Sequence, residues 1–335
     1  MIKRTFHFMG GVHLAIALIA LSALAVTVGT FLESKTESHL LAAKWTYEHP
    51  FFFILLALFF INILFAALRR WPFKKRHIPF LIVHLGLLMI ISGTMIKNLW
   101  GLQGEVLLWE GTSSNRVLLP QTHAIAFLDS FTGKQHQIEL ASFRPNIYSL
   151  YEIPSLSCKL IAYAPHVFEA PYSHRLIPET PPAKLEDHRP GIVLELEEEA
   201  KRQNMALAYQ PTGSGPMQQA LDRYAIRFQP LFQELPFQIR LRQARQIFYP
   251  GSSQTYSYEC DVWIDSDAQT LSMNKVYETK DGYRLYLSGI AKGQGDIKRA
   301  QLVVNRDPAK YLLTYPGAFF VFIGIGLLFK QTRKK

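Results

Sequence analysis

Four apolar runs, each long enough to cross a lipid bilayer, constrain the fold of this 335-residue chain more than any other feature. They occupy residues 11–28, 51–68, 78–96 and 312–329, and each has 18 or 19 residues. A helix rises ~1.5 Å per residue, so about 20 residues cross the ~30 Å hydrocarbon core. The sequence therefore predicts an integral membrane protein with four transmembrane helices and both termini on one side. For the first run, which follows Lys3 and Arg4, a signal peptide is the alternative interpretation.

Short basic segments predict which side holds the termini. Eleven of the 36 basic residues, and none of the 26 acidic ones, lie before the first run, between the second and third, and after the fourth. The positive-inside rule assigns such segments to the cytoplasm. The net charge of +10 therefore indicates membrane topology and not nucleic-acid binding. The predicted domains are residues 1–97 with three helices, 98–311 outside the cytoplasm, and 312–335 with the fourth helix and a basic cytoplasmic tail.

The long segment between the third and fourth runs has the pattern of β-strands. Apolar and polar residues alternate at 237–242 and 256–264, and turn dipeptides such as Asp281-Gly282 separate the runs. We expect a large, mainly antiparallel β domain, which the proline-rich stretch 165–190 would divide into two halves. Residues 195–202 fit either a short helix or a longer strand.

His84 is the strongest candidate site residue because it lies inside an apolar run, where an ionisable side chain is costly and is by default a functional candidate. Asn62 lies at a similar depth on the second run, ~10 Å from the cytoplasmic boundary. Small residues at Gly86 and Gly93 allow another helix or a flat ligand to approach the third run closely, and we expect His84 to share their surface.

Two cysteines, Cys158 and Cys260, fall on apolar strand faces of the predicted β domain, where they would form either a disulfide or two buried free thiols. The chain has no Cys-x-x-Cys pair and no motif for ATP hydrolysis, zinc proteolysis or serine hydrolysis. We interpret the histidines of the loops and the β domain as solvated or packing residues, because their spacing matches no common metal site.

Motifs along nearly the whole chain resemble those of the ResB family, also called CcsB. They are Gly29-Thr30-Phe31 with Glu33, Asn62 with Arg69, His84-Leu85-Gly86 through Gly93, residues 104–111, Phe248-Tyr249-Pro250-Gly251 with Tyr256, Met273-Asn274 with Gly282-Tyr283, and Asp307-Pro308. The resemblance implies a subunit of the System II cytochrome c synthase, which moves haem outward and attaches it to apocytochrome c. It also implies a membrane partner, ResC or CcsA, with a tryptophan-rich WWD segment. That segment is absent here, so this chain would be a non-catalytic or co-catalytic half.

The resemblance implies that His84 is an axial ligand of haem b in transit, with a second histidine from the partner. The alternative is a histidine hydrogen-bonded to a neighbouring helix. Asn62 would orient the other ring nitrogen of His84, or else join two helices. His13, at the inner end of the first run, would assist haem entry or be a boundary residue.

The expected location is the cytoplasmic membrane, in preference to a plastid thylakoid membrane. Two other functions stay open at this point: a cofactor-free, membrane-anchored scaffold for envelope proteins, and a haem exporter that acts alone.

Overall fold

The computed structural model describes residues 2–140, 145–153, 155–170, 175–198, 201–213, 216–293 and 296–333, with side chains from Phe6 onward. His174, one of the histidines of the predicted β domain, and Lys334 and Lys335 of the basic tail lie outside these ranges. The chain forms two compact units. The membrane unit comprises Met1–Leu102, Ala183–Leu185 and Arg306–Lys335, and the β unit comprises Gln103–Pro182 and Glu186–Asn305.

Six α-helices form the described part of the membrane unit. They are α1 (Ile2–Met9), α2 (Val12–Thr36), α3 (His39–Trp45), α4 (Pro50–Leu68), α5 (Ile78–Trp100) and α6 (Tyr315–Thr332). Four of them, α2, α4, α5 and α6, are long and apolar enough to cross a membrane, with mean hydropathies of 2.0 to 2.8. The four long apolar helices predicted from the sequence are therefore present, and each is a candidate membrane span by its length and composition.

Helix α2 runs eight residues past its predicted end at Val28 and stops at Thr36. Three threonine hydroxyls in its second half donate to carbonyls four residues earlier, so these polar side chains are satisfied inside the helix. The chain then turns at Glu37, which has a left-handed φ of 52°. Ser38 begins the next helix by accepting a hydrogen bond from the backbone N–H of Leu41.

Glycines allow α5 and α6 to pack closely. A Cβ added to Gly86 would lie 2.5 Å from the carbonyl oxygen of Gly317, and one added to Gly93 would lie 2.6 Å from Oγ1 of Thr314. Helix packing thus accounts for these small residues. The expectation that His84 shares their surface is wrong, because two residues along a helix are ~200° apart. Gly86 faces α6, whereas His84 lines a groove with α1, α2 and α4.

The β unit is mainly antiparallel, as predicted. Its strands are β1 (Leu102–Trp109), β2 (Ser113–Asp129), β3 (Gln135–Leu140), β4 (Leu150–Ile153), β5 (Leu156–Ala164), β6 (Val167–Glu169), β7 (Leu176–Pro178), β8 (Gly191–Glu198), β9 (Lys201–Ala208), β10 (Gln218–Ala220), β11 (Tyr224–Phe248), β12 (Thr255–Ile264), β13 (Asp267–Ser272), β14 (Tyr277–Glu278), β15 (Tyr283–Lys292) and β16 (Lys298–Arg306). The large sheet has the order β13-β12-β11-β2-β1-β16-β15-β14, with β10 added to β11 and β3 to β2. The small sheet has the order β4-β5-β8-β9, and β6 pairs with β7 as a separate ribbon.

The strands predicted from alternation are present in β11 and β12. Ile239 and Leu241 are fully buried, while Arg240 between them is exposed. Residues 195–202 extend the strand structure of β8 and β9 and form no helix in the part that is described. Strand β5 pairs with β8 across the proline-rich stretch, so that stretch is an insertion within one sheet.

One hydrophobic core of the β unit lies between the large and small sheets. The large sheet contributes side chains such as Phe127, Ile226 and Phe228, and the small sheet contributes Leu160 and Leu194. All five are fully buried. Apolar contact between the two sheets therefore stabilises the unit.

Candidate functional site: a groove among the membrane helices

A groove of about 840 Å³ opens among the helices of the membrane unit. Its walls come from the α1–α2 junction, from α4 and from the first turns of α5. The lining residues are His7, Gly10, Gly11, Val12, His13, Ala15, Ile19, Phe59, Asn62, Ile63, Ala66, Arg69, Arg70, Phe80, His84 and Leu87. The three candidate site residues, His84, Asn62 and His13, therefore line the same groove.

His84 presents a defined tautomer. Its Nδ1 donates to the backbone carbonyl of Phe80, one turn earlier in α5, at 2.9 Å. Because a carbonyl only accepts, the ring proton of the neutral imidazole lies on Nδ1 and the lone pair lies on Nε2. Nε2 has no hydrogen-bond partner among the described residues. Metal-bound histidines commonly have this arrangement, with Nδ1–H on a carbonyl and Nε2 on the metal.

An aromatic and cationic stack restrains the His84 ring further. The ring centroids of Phe80 and His84 are 3.7 Å apart, with planes tilted by 32°. The guanidinium carbon of Arg70 lies 4.3 Å from the centroid of the Phe80 ring, which is cation–π distance. The guanidinium of Arg70 makes no hydrogen bond or ion pair within the described part of the chain. The groove thus has an uncompensated positive charge beside the imidazole.

Asn62 and Arg69 stabilise the break between α1 and α2, which lies at Gly10 and Gly11. Asn62 is 4% exposed, and its Nδ2 donates to the carbonyl oxygens of Met9 at 2.7 Å and Gly11 at 3.2 Å. Nη1 of Arg69 donates to the carbonyl oxygen of Gly10 at 2.8 Å. The last carbonyls of a helix have no partner in their own helix, and lipid offers none. Asn62 on α4 and Arg69 at its C-cap supply donors to the Met9 and Gly10 carbonyls, while the Gly11 carbonyl also accepts the N–H of Ala15 in α2.

Close backbone contact at this break explains why glycine is found there. A Cβ added to Gly10 would lie 2.7 Å from the backbone nitrogen of Ala66 on α4. The chain therefore crosses α4 at contact distance, which brings the first turn of α2 to the groove.

The role proposed for Asn62 needs correction in one respect. The Phe80 carbonyl, and not Asn62, binds the second ring nitrogen of His84. The amide nitrogen of Asn62 joins helices, which was the alternative interpretation, although the side chain still lines the groove. His13, on the first turn of α2, is exposed and has no hydrogen-bond partner among the described residues.

Arg70 and Phe80 were not predicted as site residues. Phe80 precedes His84 by four residues, so helical spacing alone would have placed the two rings together. Arg70 is one of five basic residues in its segment, and nothing in the sequence distinguishes it from the other four.

The cysteines provide no ligand or bridge. Cys158 on β5 and Cys260 on β12 are free and fully buried in different sheets, so the disulfide alternative is not formed. Burial raises the pKa of each thiol to about 12. No cluster of three His, Cys, Asp or Glu side chains suited to a metal ion occurs in the described ranges. Among the histidines that line the groove, His84 has its Nδ1 held by a backbone carbonyl, which leaves its Nε2 available to a ligand.

The fold and the groove show four helices long and apolar enough to span a membrane, a large β unit, and a groove lined by His84, whose Nε2 has no hydrogen-bond partner among the described residues. No protein-family model matches the chain, and no curated protein matches it.

Proposed function

We propose that this chain is the ResB-like membrane subunit of a System II cytochrome c synthase. It would receive haem in the membrane and deliver it outward, with a ResC-like partner, for attachment to apocytochrome c. The observation that carries the proposal is His84, which lines a groove with Nδ1 bound to its own helix and with no partner for Nε2 in the described ranges.

The groove suits haem as a transported substrate. Its volume of about 840 Å³ is within the ~300–1,000 Å³ typical of ligand sites. Apolar walls at Ile19, Phe59 and Leu87 match the face of a porphyrin, and a neutral imidazole is an ordinary axial ligand of haem iron. Haem also carries two carboxylates, and Arg70 is a cation with no ion-pair partner among the described residues.

The proposed orientation follows from the basic segments. They favour cytoplasmic termini and an external β unit, so His84 would lie in the cytoplasmic half of the bilayer. Haem would enter from that side past His13, bind His84 together with a histidine of the partner, and then move to the partner's external site. There the two cysteine thiols of an apocytochrome would add to the haem vinyl groups.

The test is the haem content of the chain purified with and without its partner. We expect a Soret band that requires both chains and that His84→Ala reduces at least tenfold, since a lost coordination bond exceeds ~1.4 kcal/mol. His39→Ala is the matched control, because His39 is exposed and pairs with Glu33 away from the groove. Added imidazole should restore the band in His84→Gly.

Other results of this experiment would support one of the alternative functions or refute the ligand role of His84. A colourless complex would support a cofactor-free scaffold, and a full Soret band in the isolated chain would support a haem exporter that acts alone. Wild-type haem content in His84→Ala would refute the ligand role.

Arg70 gives a second test of the same proposal. Arg70→Gln should weaken haem binding about tenfold by removing one charge-assisted pair, while leaving the position of the Soret band unchanged. Arg70→Lys should recover part of the loss, because it restores the charge without the planar stack on Phe80.

A further inference from the structure

The β unit contains a second cavity, of about 570 Å³, that borders its core. Leu207, Ile226 and Phe228 form an apolar floor and also belong to the core between the two sheets. Polar side chains converge around this floor. They are His166, Glu169, Glu179, Arg189 and Tyr209. A concave apolar surface with a few convergent polar groups is the usual form of a binding site.

Tyr209 offers the cavity an unused hydroxyl. Its ring is fixed edge-on to Phe228, with centroids 5.2 Å apart, and lies 4.6 Å from the ring of His123. The phenol has no hydrogen-bond partner within the described ranges. Tyr209 is half-buried and lines the cavity, so its hydroxyl is accessible to a ligand that enters there. Burial raises the pKa of Tyr209, which keeps the hydroxyl protonated and able to donate at neutral pH.

His166 provides a second donor. Its Nδ1 accepts the backbone N–H of Arg189 at 3.0 Å, so the proton of the neutral ring lies on Nε2. The carboxylates of Glu169 and Glu179 add acceptors to the same cavity. Donors and acceptors together match a peptide backbone, which carries both N–H and C=O groups. The two carboxylates would repel a simple anion, and Arg189 would repel a simple cation.

The apolar surface of the cavity continues onto the β6–β7 ribbon. Phe168 lines the cavity and is 47% exposed, and its cross-strand neighbour Ile177 is 45% exposed. Val167 packs the ribbon against β8 of the small sheet, because a Cβ added to Gly191 would lie 2.8 Å from the Val167 side chain. Phe168 and Ile177 thus extend the apolar surface beyond the cavity itself. A surface of that length fits an extended polypeptide better than a small metabolite, which the cavity alone could hold.

We propose that this cavity binds an extended polypeptide segment of a partner protein. One apolar side chain of the segment occupies the floor, and the adjacent backbone amides bond to Tyr209, His166 and the carboxylates at the rim. This binding is separate from haem transfer and does not depend on it.

Thiol protection tests the proposal in the full chain reconstituted in nanodiscs. Ala208 lines the cavity, and Ala208→Cys would provide the one reactive thiol, since Cys158 and Cys260 are fully buried. The probe is N-acetyl-L-phenylalaninamide, which presents an aromatic side chain between two amides. 2-Phenylethylamine and 3-phenylpropanoate carry the same ring with a single charge. We expect the amide to slow alkylation of Cys at position 208 at a lower concentration than either charged compound.

Tyr209→Phe in the same background should raise the half-protecting concentration of the amide about fivefold, the value of one hydrogen bond. Tyr163→Phe is the matched control and should change nothing, because Tyr163 packs on the same core away from the cavity. Equal protection by all three compounds, no protection at the solubility limit, or indifference to Tyr209→Phe would each overturn the proposal. The Soret band of the same variants assembled with the haem-binding partner chain reports haem binding independently, and we expect no change in it.

Discussion

Removing the Asn62 side chain should destabilise the membrane unit by a calculable amount. Asn62 donates two hydrogen bonds, at 2.7 Å to Met9 and 3.2 Å to Gly11, across the break between α1 and α2. Interhelical polar contacts in membrane proteins are worth ~0.6 kcal/mol on average and up to ~1.7 kcal/mol. Two such bonds give a loss of about 1–2 kcal/mol, or a rise of roughly 5- to 30-fold in the unfolded fraction.

The measurement is the free energy of unfolding of the purified chain in mixed micelles titrated with sodium dodecyl sulfate. Asn62→Ala also removes volume, so Asn62→Leu, which keeps a side chain of similar size, separates the hydrogen bonds from packing. Thr94→Val is the control, because the Thr94 hydroxyl bonds to the Ile90 carbonyl of its own helix. We expect this control to lose less than about 0.5 kcal/mol.

The same variants separate the two roles considered for Asn62. The His84 ring is oriented by Phe80, so Asn62→Leu should leave the position of the Soret band unchanged in any haem-loaded complex. Wild-type stability of both Asn62 variants would refute the assignment of Asn62 to the helix break. A shifted Soret band with unchanged stability would instead support direct orientation of His84.

Three further predictions concern packing, thiols and acid. Gly86→Val should destabilise α5–α6 packing by about 1–3 kcal/mol in the same detergent titration, whereas Gly326→Val, with nothing within 4 Å of its added Cβ, should have little effect. Cys158 and Cys260, whose pKa values burial raises to about 12, should resist alkylation at pH 8 until the chain is denatured. A hydrogen bond from Arg223 is the chief cause that lowers the pKa of Asp129. The ionised Asp129 carboxylate therefore stabilises the folded state above the unfolded pKa of ~3.9, and this contribution is lost as pH falls through the lower folded pKa. Asp129→Asn should therefore flatten the acid limb of a stability–pH curve.

Hydropathy predicted the helices well because it is a local property. The spans at α4 and α5 begin within one residue of the predicted positions, since lipid-crossing length depends only on consecutive apolar residues. The rotation of a helix is not local, because it depends on which neighbour packs against which face. That is why Gly86 and His84 were assigned to one surface although they lie on opposite sides of α5.

Strand pairing in the β unit shows the same difference between local features, which the sequence pattern predicts, and non-local ones, which it does not. Alternation marked β11 and β12 correctly, because a period of two is visible within a few residues. Nothing local shows that β5 pairs with β8 on the far side of the proline-rich stretch. Composition suggested a boundary there, whereas sheet register makes the stretch an insertion, and the second cavity lies beside it.

The groove depends on which donors the carbonyls at the α1–α2 break receive. The break at Gly10 and Gly11 leaves the Met9 and Gly10 carbonyls to accept from Asn62 on α4 and from Arg69 at its C-cap. Since Asn62 is occupied there, the hydrogen bond of the His84 ring among the described residues is to the carbonyl of its own helix, and Nε2 is left to the groove. Sequence reasoning grouped Asn62 with His84 because both are polar at one depth. The break that separates their roles involves two glycines at the edge of an apolar run, which hydropathy alone does not distinguish from a continuous helix.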